Sequence, residues 1–177
     1  MSQLLVATYA EGSAAEAALG TLSDRGAELV RLQAAIVVTR DEVGDVTVGA
    51  TALGPAQALA PRRAAWGLLS ALVFFTPRLW PLVAGFIERS GGRSGDVGLD
   101  EVATEAVRAD LPAGGSAVMA IVAGDSAERE REILAETGES LHALPISHAA
   151  IGSIAEALEY PEVYAIASLA LSSPDRA

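Results

Sequence analysis

Apolar and polar positions fall into two kinds of pattern along this chain. Two stretches run from an apolar strand through a short acidic turn into a helix-period segment. The first is Leu4 to Gln33 (LLVATYAEGSAAEAALGTLSDRGAELVRLQ) and the second Ala117 to Ile146 (AVMAIVAGDSAEREREILAETGESLHALPI). Each has a Ser-Ala helix start, a glycine stop at Gly26 or Gly138, and a second strand. Ser13 with Glu16, and Asp125 with Glu128, have the spacing of capping boxes. Gly26 and Gly138 suit left-handed helix ends. Between the repeats, Ala34 to Thr39 continues the second strand, Arg40 to Asp45 turns, and Val46 to Leu53 returns as a hairpin strand. Two βαβ units facing each other across one sheet predict a ferredoxin-like α+β domain.

The second pattern interrupts this regularity. Ala64 to Ile87, AAWGLLSALVFFTPRLWPLVAGFI, is almost wholly apolar and is broken by Thr76-Pro77-Arg78 and by Pro81. A single membrane span needs roughly 20 apolar residues, but here Pro77 and Arg78 would lie at mid-bilayer, where an arginine is costly. Splitting the run predicts a helical hairpin with arms Ala64 to Phe75 and Leu79 to Ile87. Both arms start from a base that carries Arg62, Arg63, Arg89 and Arg93. Gly67, Ser70, Ala71, Ala84 and Gly85 would allow close helix approach.

The expected organisation is one domain with an insertion. Residues 1–53 form the first half with its hairpin strand, and 54–95 the apolar insertion with its linkers. Residues 96–146 form a helix and the second half, and 147–177 a helical extension. Asp100 to Leu111 reads as a helix with Val102, Ala106 and Val107 on one face and Glu101, Glu105 and Arg108 outside. Pro112 to Gly115 ends it. Ser147 can cap a helix reaching Leu158, and Pro161 opens an apolar stretch from Val163 to Leu171.

Charge sharpens the picture of the insert. The chain has 23 acidic and 12 basic residues, a formal charge of −11, which argues against nucleic acid as a partner. Yet Arg62 to Arg93 holds five arginines against Glu88 alone, so the insert is a basic island on an acidic body. There is no cysteine, which removes disulfides and thiolate chemistry. The N-terminus lacks the pattern of a secretory signal, so a cytoplasmic protein is expected, with the inner face of the membrane as the alternative location.

No set of residues assembles a recognisable catalytic centre in the sequence. His142 and His148 would need Glu139 to make a metal site, and surface or capping roles are the default for both. Pro112 to Ser116 is glycine-rich but precedes a strand rather than a helix, so it reads as a turn. Gly12-Ser13 stands at a helix start, where Glu11 and Glu16 would repel an anion. Asp100/Glu101 and Glu128/Glu130/Glu132 read as solvated helix faces. No cofactor, metal or enzymatic activity is expected.

The features LLVATY with its Ala/Glu-rich helix, AAIVVTRDEVGDVTV, the central apolar insert and VGLDEVATEAVRADLPAGGSAVMAIVAG together resemble the bacterial family filed as domain of unknown function 1269. The resemblance runs from Leu4 to Ser147. It implies a glycine-rich, membrane-annotated hairpin, of which this chain keeps Gly67 and Gly85 while adding Pro77, Arg78 and Pro81. It also implies membrane-associated or self-associating behaviour linked to stress, and no catalytic residues.

The functional expectation is therefore a non-enzymatic, self-associating protein whose partner is a second copy of itself. Its expected contact residues are Trp66, Leu69, Leu72, Phe74, Phe75, Arg78, Leu79, Trp80, Leu82 and Phe86 of the hairpin, with Tyr164 and Leu169 of the C-terminal helix. The first alternative is a membrane-peripheral protein whose hairpin dips into an anionic bilayer. The second is a small-ligand sensor or enzyme using the open face of the sheet, an expectation from fold analogy.

Overall fold

The computed structural model describes residues 2–25, 32–43, 46–53, 63–74, 85, 99, 101–124, 127–147, 149, 152, 154, 161 and 163–165. The chain is α+β. Its strands are β1 (Ser2–Tyr9), β2 (Leu32–Arg40), β3 (Val46–Leu53), β4 (Ser116–Ala123) and β5 (Ser140–Ile146). Its helices among the described residues include α1 (Ala14–Asp24), α2 (Arg63–Phe74), α3 (Glu101–Asp110) and α4 (Glu128–Thr137). The strands form one antiparallel sheet in the order β3-β2-β4-β1-β5.

The apolar runs of the sequence follow from position in this sheet. β1, β2 and β4 are interior strands, and helices lie on both sheet faces, so successive side chains are buried whichever way they point. β5 is an edge strand, and it alternates: Leu144 and Ile146 are buried while Ala143 and Pro145 are exposed. An edge is where a strand tolerates proline, because a ladder donor can be lost there. β3 closes the other edge. Its register against β2 shifts between Ile36↔Thr51 and Val38↔Val48, so Gly49 and Ala50 stand opposite Val37 in a bulge.

Each sheet face has its own core. On one face Leu5, Ala7, Val37, Val118 and Ala120 meet α1 through Ala15, Ala18, Leu19 and Leu22, and α4 through Ile133 and Leu134. On the other, Leu4, Val6, Ile36, Met119, Ile121 and Leu144 meet α2, α3, Ile154 and Val163. The face expected to lie open is thus covered by the apolar insert's first arm and by α3.

The helix ends differ from the local signals. Ser13 precedes α1 with helical backbone angles and makes no side-chain cap. The amide of Ala15 instead donates to Ser116 Oγ at 3.1 Å, and that hydroxyl donates to the Glu11 carbonyl. The cap therefore comes from β4 across the fold. Ser116→Ala removes both bonds at a fully buried site and should cost about 1–2 kcal/mol in chemical denaturation.

α4 starts after Ala127, which likewise provides no side-chain cap; Asp125 lies outside the described residues. Gly138 is not left-handed but extended (φ −89°, ψ 153°), because the chain passes directly into β5 and the next amide, Glu139, bonds the Thr8 carbonyl. A Cβ there would stand 3.0 Å from the Leu134 carbonyl oxygen and 3.3 Å from Ala7 Cβ, so close approach explains this glycine. Gly26 is outside the described residues. Glu130, expected on a solvated face, is 2% exposed: helical spacing puts it on the same side as Ile133 and Leu134.

Candidate contact surface

The first arm of the apolar insert forms α2, and its contacts are internal. Trp66, Leu69, Leu72, Val73 and Phe74 belong to the core over the β4 face, and the Ser70 hydroxyl donates to Met119 Sδ at 3.4 Å. The spacing 66, 69/70, 73 is one stripe of a helix, and this stripe faces the sheet. Trp66, Leu69, Leu72 and Phe74, expected at a partner's surface, are therefore core residues of their own chain. The physical reason is that the second sheet face supplies the apolar cover that the arm needs. Arg63 opens α2. Arg62, Phe75, Arg78, Leu79, Trp80, Leu82, Phe86, Arg89, Arg93 and Leu169 lie outside the described residues.

α3 is rotated from the expectation: Val107 lies inward and Glu105 outward as expected, but Val102 and Ala106 do not face the core. Thr104, Val107 and Leu111 are buried and Ala103 packs against the core. Val102 is 74% exposed, and Ala106 and Ala109 are exposed with it. The outer side thus carries apolar positions at i, i+4 and i+7 beside Glu105. Leu111 held the missing signal: the stripe 103, 104, 107 and 111 ends on a large apolar residue, whereas the stripe 102, 106 and 109 ends on alanines. Tyr164 is 55% exposed beside buried Val163, which enters the same core as α3. Val102 and Tyr164 therefore belong to one helical layer.

The opposite layer is different in kind. α1 and α4 present Glu16, Asp24, Glu128, Arg129, Arg131, Glu132 and Glu136 to solvent. Arg129 pairs with Glu132 at 3.2 Å within α4, and Arg25 reaches Glu136 at 3.5 Å across the two helices. Exposed pairs of this sort stabilise little, and they leave a hydrated surface.

Polar side chains gather where β1 ends and β5 begins. Thr8 Oγ1 lies 2.6 Å from Ser140 Oγ, and His142 Nε2 lies 2.7 Å from Asp110 Oδ2 and 3.5 Å from Ser140 Oγ. Carboxylate and hydroxyl address the same ring nitrogen, whereas a relay through imidazole uses its two nitrogens for two partners. The cluster joins the end of α3 to β5. Among the described residues no group of three or more His, Cys, Asp or Glu side chains could hold a metal ion; His148 lies outside them.

Tyr9 lies on the α1/α4 face, 3% exposed, with its hydroxyl 3.1 Å from Thr137 Oγ1. Burial raises its pKa above the ordinary 10.0, opposed by the Thr137 hydrogen bond. A raised folded value means this contribution to stability is complete below pH 10.0 and is lost as pH climbs beyond it toward the folded value. The thermal midpoint of the natural chain should fall more steeply above pH 10 than that of Tyr9→Phe, as followed by calorimetry.

Fold and surface together define an α+β protein whose antiparallel sheet is covered by helices on both faces, one layer charged and the other partly apolar. The chain belongs to the DUF1269 family, described as proteins of unknown function, whose model matches residues 60–159. The match covers 100 of 177 residues, from just before α2 through β5 to residue 159. It leaves out β1 to β3, which the sequence resemblance had included. Neither the curated proteins nor the solved structures hold a match to the chain. No helix among the described residues is long and apolar enough to cross a membrane.

Proposed function

We propose that this chain is a non-enzymatic, self-associating protein of the cytoplasm, forming a homo-oligomer through the outer side of its α2/α3 layer. The observation that carries the reading is the exposure of Val102 and Tyr164 on that layer, 74% and 55%. With Val43 they are the large apolar side chains left in solvent among the described residues. Large exposed apolar side chains on one layer favour a protein partner.

The remaining surfaces suit self-association less. Pro145 removes a donor from one sheet edge, and the Gly49–Ala50 bulge interrupts the other, both devices that discourage strand-to-strand joining. The α1/α4 layer is charged. In this reading the sheet is ferredoxin-like, with β2-β4-β1-β5 as its four-stranded core and β3 added at the edge. The face such a core leaves open is filled here by α2 and α3, which weighs against a ligand site on the sheet. The second arm, Leu79 to Ile87, with the basic flank Arg62, Arg63, Arg89 and Arg93, would add to the contact by facing the acidic body of a neighbour.

Light scattering after size exclusion in detergent-free buffer tests this. The natural chain should elute as a discrete particle of several subunits. Val102→Glu combined with Tyr164→Glu should shift it toward the monomer, with the thermal midpoint of the fold little changed, since both positions are exposed. A natural chain that is monomeric at every concentration overturns the reading. Recovery solely in the membrane fraction overturns it in favour of the bilayer alternative.

A further inference from the structure

No further inference is drawn: the strongest candidate, the side-chain cluster of Thr8, Ser140, His142 and Asp110 where the end of α3 meets β5, turns a single imidazole nitrogen toward both hydroxyl and carboxylate, and nothing in the structure points from it to a ligand.

Discussion

Trp66→Ala should lower folding stability by about 3–5 kcal/mol, the range for deleting a buried aromatic ring from a packed core. For a chain of this size that corresponds to a fall in thermal midpoint of roughly 10 °C. Trp66 is 2% exposed and among the largest fully buried side chains, in the cluster with Met119 and Ile121. Its removal leaves a cavity between α2 and the sheet that neither element closes without moving. The same substitution separates two roles for the first arm. As a core residue, Trp66 fails by unfolding, seen in calorimetry before any change of particle mass. As an anchor between subunits, it would lower the mass while the midpoint of the dissociated chain stayed where it was. The structure calls for the first result, and the second would show that α2 leaves its own sheet to meet a neighbour.

That expectation turns on a feature the sequence conceals. The strands were readable because interior strands of a doubly covered sheet are apolar at nearly every position, as LLVATY, Thr8 apart, and AVMAIV are. The hairpin of β2 and β3 was readable from the turn at Arg40 to Asp45. The start of α1 departs from its local signal for a definite reason. A capping box is a local rule, and here Ser116, 101 residues along the chain from Ala15, supplies the hydroxyl. Local spacing carries no trace of such a partner. The role of α2 was concealed in a similar way. An apolar helix has the same composition whether it packs on its own sheet, on a second subunit or in lipid. What decides is whether a sheet face stands vacant, and that depends on topology. The phase of α3 was legible in principle, since Leu111 extends the stripe of Thr104 and Val107 by one turn. Reading Val102 inward gave weight to hydrophobicity where continuity of the stripe was the better guide. The same phase leaves Val102, inward by hydrophobicity alone, exposed on the outer side of α3.

Gly115→Ala should be the most damaging single-methyl addition, at about 3 kcal/mol, the upper part of the range for overpacking. A Cβ on Gly115 would stand 2.7 Å from the Tyr9 carbonyl oxygen and 2.9 Å from both the Pro112 carbonyl oxygen and Pro112 Cγ. Two of these three are backbone atoms, so no side-chain rotation relieves the clash. The backbone around them is also committed: Gly115 donates to Pro112 at 3.1 Å, and its own carbonyl accepts from the Arg40 amide at 2.9 Å. Arg40 Nη1 holds the Leu111 carbonyl at 3.0 Å, tying the end of α3 to β2. Displacing Gly115 therefore disturbs β1, β2 and the α3 connection together, next to the Ser116 hydroxyl that caps α1. Gly20→Ala is the matched control. A Cβ there meets nothing within 4 Å, and Gly20 lies inside α1, so alanine should stabilise by about 0.5–1 kcal/mol through helix propensity. Urea titrations of the two variants should move their midpoints in opposite directions. Equal and small effects would mean that the 112–116 turn yields easily, and that the junction of β1, β2 and α3 is not held by close backbone contact.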